Sequence, residues 1–379
     1  MKNNSVDYKW QMINGKSPLR VAIVHDWLIG GGAELVVEQF HKMFPEAPIY
    51  TSYTTAEWRQ RLDGKVVTGW LQHLGKIRKF IPLLRIWWFT SLKFDDYDLV
   101  ISSSGAEAKG IKVPIGTTHL NYCHAPTHYY WSRYEQYLKH PGFGPFDWLA
   151  RIGLKILVAP LRHWDYQAAQ RPDFIIANST HIQAEIKKYY GRDSIVIFPP
   201  VNTSRFKKPA NQKLKRSGFL ISGRQTPYKR FDLAVEACNE VEEILTVIGD
   251  GPDNKHLRDL AGHDITFLGK AKDEVLEREF GSTNALIFPG LDDFGITPVE
   301  AMAAGTPVIA YRAGGALDYI IPGKNGEFFG SQTPESLTKA LKNFKPNKYN
   351  HATISRYAER FSADQFQKKI RHFLSTIIN

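Results

Sequence analysis

Short apolar runs alternate with amphipathic stretches along almost the whole chain. In the first half, Leu19–Val24, Ile49–Tyr53, Leu99–Ser102, Thr118–Tyr122, Phe174–Ala177 and Ile195–Phe198 have the length and side-chain content of buried strands. The pattern recurs at Phe219–Ser222, Leu245–Gly249, Ile265–Leu268, Ala285–Phe288 and Pro307–Tyr311. Between these runs, Ala33–Met43, Asp232–Val241 and Pro334–Phe344 repeat apolar positions at helical spacing, and a last helix is predicted over Ala363–Ile377. Such alternation predicts the α/β class, with parallel sheets built from βαβ units. The double proline in Phe198-Pro199-Pro200-Val201-Asn202 ends a strand and stiffens a linker. The expected organisation is a tail over 1–18, a Rossmann-like domain over 19–198 and a second over 199–362. The final helix, 363–379, is expected to pack back on the first domain. Two doubly wound parallel-sheet domains facing each other would leave a cleft at the carboxyl ends of their strands.

Composition narrows this picture. A chain of 379 residues is too long for one typical core, which agrees with two domains. Cys123 and Cys238 are far apart and suggest neither a disulfide framework nor a metal cluster, so a reducing cytoplasm fits. Residues 1–18 lack the apolar segment of a signal peptide, and no run approaches the roughly 20 apolar residues of a membrane span. The net charge of +11 calls for anionic partners. Zinc-finger spacing and RNP-type aromatic motifs are missing, so nucleic acid is not expected and phosphates of substrates or lipids are.

Several stretches could carry chemistry. In Phe294-Gly295-Ile296-Thr297-Pro298-Val299-Glu300-Ala301-Met302-Ala303-Ala304-Gly305, a glycine turn enters a helix, with Thr297 predicted as N-cap and Pro298 as first helical residue. Unpaired N–H groups and the positive helix end suit an anion there. Asp292 and Glu300 bracket the turn. The pattern fits a sugar-nucleotide cradle, and it also fits an ordinary capping box between Thr297 and Glu300. Arg224-Gln225-Thr226-Pro227-Tyr228-Lys229-Arg230 follows a strand and Gly223; its cations could clamp a diphosphate or form a solvated loop. Asp232, just beyond, reads as a helix-dipole residue. Gly30-Gly31-Gly32-Ala33-Glu34 opens a helix after a strand, as a ligand approach or a tight turn. His124, in Tyr122-Cys123-His124-Ala125-Pro126, ends a strand, where it could hydrogen-bond a sugar hydroxyl or serve structure, and His128 is a nearby alternative. Gly249-Asp250-Gly251-Pro252 and Gly314-Gly315 mark loops where backbone comes close to something, or bare turns. The basic aromatic segment from Lys76 to Phe89, with Arg78, Lys79, Arg85, Trp87 and Trp88, could lie on an anionic membrane face. A second mixed stretch, Phe146–Trp164, reads more plainly as a buried amphipathic helix.

Together these motifs resemble the retaining glycosyltransferases of family 4, which have the GT-B fold. The most specific part runs from Asp293 to Ala310. Gly31-Gly32-Ala33-Glu34, Ser222-Gly223-Arg224, Lys229, Asp232 and Ile248-Gly249-Asp250-Gly251-Pro252 agree in order and spacing. Tyr122-Cys123-His124-Ala125-Pro126 and Ala177-Asn178-Ser179 are most similar to mannosyltransferases of O-antigen and polysaccharide assembly. The resemblance implies that Arg224 and Lys229 hold the donor diphosphate. It implies that Gly295, Ile296 and Thr297 offer N–H groups to it, that Glu300 binds the ribose, and that His124 lies against the sugar. Gly31, Gly32, Gly223, Gly249 and Gly251 would complete the donor site. Asp292 stands where the family usually has Glu. The implied partners are a nucleotide sugar, GDP-mannose foremost, a lipid-linked glycan acceptor and the inner face of the cell membrane. The family requires no bound metal and no cofactor besides this co-substrate. A UDP-sugar donor, or a non-catalytic GT-B protein that only binds sugar nucleotide or membrane, are the alternatives.

Overall fold

The computed structural model describes residues 19–74, 82–139, 141, 144–206 and 215–378. The chain divides into two compact units, Met1–Phe198 with Gln367–Asn379, and Pro199–Phe366. Pro199 and Pro200, which can neither donate to a ladder nor continue a helix, mark the passage between them.

The first unit is a parallel sheet of β1 (Val21–His25), β2 (Ile49–Thr51), β3 (Val66–Thr68), β4 (Leu99–Ser104), β5 (Thr118–Cys123), β6 (Phe174–Ala177) and β7 (Ile195–Val196). Their order is β3-β2-β1-β4-β5-β6-β7. Every residue of β1 and β4 is buried, as expected of strands covered on both faces. The order reverses between β1 and β4, which pair from Val21↔Leu99 to His25↔Ser103. The end of the final helix, Ala363–Ile377, belongs with this unit. Its Phe373 meets Phe174 edge-on at 5.9 Å, Lys369 covers the Phe198 ring at 5.3 Å, and Gln367 Nε2 donates to Gln39 Oε1 at 2.8 Å.

The second unit repeats the plan with β8 (Phe219–Ser222), β9 (Leu245–Ile248), β10 (Ile265–Gly269), β11 (Ala285–Phe288), β12 (Val308–Tyr311) and β13 (Gly326–Phe329), in the order β10-β9-β8-β11-β12-β13. Here the reversal falls between β8 and β11.

Three sequence expectations need correction. The edge strands β3 and β13 were not anticipated: β3 is only three residues long, and β13 begins at Gly326, directly after Asn325, a pair that reads as a turn. Of Ile195–Phe198, only Ile195 and Val196 pair, because the prolines close behind them interrupt the ladder. The helix Asp147–Ala169 is not simply buried. Its covered residues are Val158, Leu161, Asp165, Ala168 and Ala169, all in the second half, whereas Trp148, Leu149, Ile152 and Ile156 in the first half are exposed.

Candidate functional site

In a doubly wound sheet, loops diverge where the strand order reverses, and ligands settle at the carboxyl ends of the strands there. In the second unit that point lies between the loops following β8 and β11. The first loop carries Arg224 and Lys229, the second Gly290 and Asp292. The loops are pressed together: a side chain on Gly290 would stand 3.0 Å from the Lys229 Cα. The Lys229 ammonium is paired with the Asp292 carboxylate and lies 5.5 Å from the Tyr228 ring and 5.9 Å from that of Phe288. Apolar walls around this ion pair lower the local dielectric and strengthen its response to an added charge. Arg224 is exposed beside an open groove of about 520 Å³, lined by Gly223, Arg224, Gly249, Asp250, Gly251, Pro252 and Lys270. Lys270, at the end of β10, was missed because it stands outside every motif.

The groove owes its shape to glycine. Gly249 has φ +119°, and a side chain there would strike the Gly223 carbonyl oxygen at 1.9 Å. A side chain on Gly251 would meet the Gln225 carbonyl at 2.1 Å, and one on Gly315 the Phe294 Cα at 2.3 Å. What these loops approach closely is each other.

The turn into the helix expected to receive an anion differs from expectation. The helix spans Ile296–Ala303 and its N-cap is Gly295, with φ +89°. Thr297 therefore lies inside the first turn, Pro298 is the third helical residue, and no capping box forms between Thr297 and Glu300. The positive φ open to glycine lets the chain turn two residues earlier than Thr297 would. Pro298 remains tolerated because first-turn N–H groups have no helical partner. Tyr319, which carries no motif, is buried with its hydroxyl lacking a hydrogen-bond partner among the described residues. A side chain on Gly295 would lie 2.7 Å from that hydroxyl. Glu300 sits in the following turn. Burial raises its carboxyl to about 7, with Arg205 pulling it down and Asp273 pushing it up. Arg205, also missed, pairs with Asp273 at 3.0 Å and Glu277 at 2.8 Å. Asp232 does more than face the helix dipole: it holds the Arg230 guanidinium at 2.9–3.1 Å.

In the first unit, the strand ends hold a saturated polar network. Asp26 accepts from the N–H groups of Gly105, Ala106 and Ala108 at 2.7–3.0 Å. Glu34 accepts from Ile29 N–H at 3.2 Å and Gly30 N–H at 2.9 Å, which pins the loop ahead of Gly31 and Gly32. Gly31 and Gly32 themselves are exposed at the start of the helix Gly32–Met43. His124, half-buried, lies with Nε2 2.7 Å from Ser103 Oγ, and its carbonyl accepts from Asn178 Nδ2 at 2.8 Å. His25 donates from Nδ1 to the Ser103 carbonyl at 2.6 Å and meets the His124 ring edge-on at 6.1 Å. One serine thus orients both imidazoles. His128 instead bonds Ser132 Oγ at 2.9 Å.

The membrane-segment residues separate. Arg78 and Lys79 lie outside the described residues. In the helix Pro82–Ser91, Arg85 and Trp88 are buried and Trp87 is exposed. Arg85 forms a two-point bond with Glu107 at 2.7 and 3.0 Å, and Glu107 also accepts from the Tyr129 hydroxyl at 3.1 Å. Burial opposes the Arg85 charge, but the Glu107 carboxylate outweighs it and holds the guanidinium protonated. Arg85 and Trp88 are therefore packing residues: helical spacing turns them inward while Trp87 faces out. Among the described residues no helix is long and apolar enough to cross a membrane, and no three His, Cys, Asp or Glu side chains gather as a metal site.

Residues 202–361 match the family described as Glycosyl transferases group 1. Alpha-1,3/1,6-mannosyltransferase ALG2 of Dictyostelium discoideum is 24% identical over an alignment that takes in 97% of this chain and 99% of that one. Its Homo sapiens counterpart of the same name is 25% identical over 68% of each. Among solved structures, Anabaena Alr3699/HepE in complex with UDP superposes with a TM-score of 0.69 at 16% identity, over 95% of this chain and all of that one. The lipopolysaccharide outer core galactosyltransferase WaaB, in its apo form, gives 0.64 at 18% identity over 94% of this chain and 99% of that one. These likenesses carry the two-domain, Rossmann-like fold across the chain.

Proposed function

From the match of residues 202–361 to the group 1 glycosyltransferases and the resemblance of the motifs to family 4, we propose that this chain is a family 4 enzyme that transfers mannose from GDP-mannose, with retention, to a hydroxyl of a lipid-linked glycan at the cytoplasmic face of the membrane. The observation that carries the reading is the arrangement in the second unit. An exposed arginine and Lys270 edge an open groove, and the switch point beside it holds a lysine–aspartate pair and the start of a glycine-capped helix. Such a surface suits a diphosphate whose charge grows as it leaves. The mannosyltransferase relatives support the sugar.

In this reading Arg224 forks onto the diphosphate and Lys229 exchanges Asp292 for a phosphate oxygen. Gly295, Ile296 and Thr297 offer N–H groups, and Glu300 binds the ribose. Released from Lys229, Asp292 becomes free to accept a sugar hydroxyl. His124, oriented by Ser103, faces the sugar. The bond between the anomeric carbon and the diphosphate oxygen breaks, and the acceptor oxygen bonds that carbon on the same face. The departing phosphate oxygen takes the acceptor's proton, so no second carboxylate is needed. Cationic side chains carry the leaving-group charge without a metal ion.

A thermal-shift series with GDP, UDP, ADP and their sugars, followed by product analysis, tests this. A melting-temperature rise specific to GDP ligands and an α-mannoside product support the proposal. A response to uridine ligands alone shifts the donor to a UDP sugar. Binding with no glycosidic product leaves a non-catalytic binder.

A further inference from the structure

The helix Asp147–Ala169 is apolar on two opposite faces. At about 100° per residue, Val158, Leu161 and Asp165 form the stripe that is buried. Trp148, Leu149, Ile152 and Ile156 form another, centred about 180° away, and they are 59%, 53%, 47% and 68% exposed. Phe146, immediately before the helix, is 64% exposed. Soluble surfaces scatter single apolar side chains, whereas a continuous row marks a contact.

The charges beside the row select the occupant. Arg151 and Lys155 lie along one flank and Lys139 at the end of the neighbouring helix Tyr134–Lys139, all exposed. Arg151 donates to the Leu138 carbonyl at 3.0 Å and the Lys139 carbonyl at 3.2 Å, which keeps these cations together. Between residues 146 and 163 the sequence holds a single acid, Asp147. A row of Trp, Leu and Ile edged by cations is the composition of a helix lying in the plane of an anionic bilayer, its apolar side chains among the acyl chains and its cations at headgroup phosphates. The helix Pro82–Ser91 offers far less, since of its large apolar residues Leu83 and Trp87 are the most exposed.

We propose that the stripe Trp148–Ile156 docks the first unit on an anionic lipid surface. This rests on the reading above that the acceptor is carried on a lipid, and it moves the membrane contact from the 76–89 segment to a different helix.

Flotation with vesicles of phosphatidylglycerol mixed with phosphatidylcholine tests it. The wild-type chain is expected to float with these vesicles and much less with phosphatidylcholine alone. Ile152→Ser with Ile156→Ser should lower partitioning about tenfold, and Lys155→Glu about fivefold. Both should keep the wild-type melting temperature and its shift by GDP, since the altered side chains are exposed. Trp87→Ser should float as wild type. The proposal is overturned if the double variant floats normally, if the wild type ignores anionic vesicles, or if the double variant instead dissociates a dimer, which would make a second copy the occupant. Vesicle binding lost in the double variant, in a protein that transfers no sugar, would support the docking face and overturn the functional reading alone.

Discussion

The two units share a plan and use their strand ends differently. At the switch point of the first, polar groups are spent on the protein itself. Asp26 and Glu34 bind backbone N–H groups, Ser103 holds two histidines, and Glu107 locks Arg85. At the switch point of the second, Arg224 and Lys270 stand in solvent, and Lys229 is held by a partner that an incoming anion could replace. Buried charges that are fully paired make a rigid frame. Cations left in an open groove keep their charge available to an anion. The same fold thus differs between its two units in how completely the polar groups at the strand ends are satisfied.

The largest effect should come from the frame. Arg85→Ala leaves the Glu107 carboxylate buried without its cation and should cost about 3–5 kcal/mol of unfolding free energy, read by urea denaturation. A loss below about 1 kcal/mol, the range of exposed pairs, would return Arg85 to the surface and blur the contrast.

Next comes the open groove. Arg224→Ala and Lys229→Ala should each lower turnover about a hundredfold or more, as loss of a transition-state donor does, with melting temperature unchanged for Arg224→Ala. Near-normal rates in both would dissolve the diphosphate clamp.

A smaller effect is expected at Glu300. Its carboxyl is raised to about 7 in the folded state from an ordinary value of 4.5. Between those values the folded chain holds a proton that the unfolded chain has lost, so this group's contribution is present at low pH and fades as pH rises toward 7. Glu300→Gln should flatten that slope and, above pH 7, melt at a temperature several degrees higher than wild type. Parallel melting curves for the two proteins from pH 4.5 to 8 would refute it.

The smallest expected effect is none: EDTA should leave transfer unchanged. Loss of activity restored by Mg²⁺ would replace the cationic clamp with a metal.

Most strand positions, the division at Pro199 and the loops bearing Arg224, Lys229 and Asp292 were legible in the sequence, because buried parallel strands leave near-continuous apolar runs and their loops carry the leftover glycines and charges, whereas the order of the strands in each sheet was not. Residues acting through space alone left no such trace. Tyr319 and Lys270 reach the candidate site from separate strand connections, and Arg205 acts on Glu300 from outside every motif. Periodicity also misjudged partners. It recognised Phe146–Trp164 as an amphipathic helix, yet an apolar stripe records only that a side chain avoids water and not what covers it. Local chemistry thus determined the elements and their punctuation. Which arginine is buried, which glycine caps a helix and which apolar face remains bare were decided by packing, since burial and pairing depend on neighbours distant in the chain.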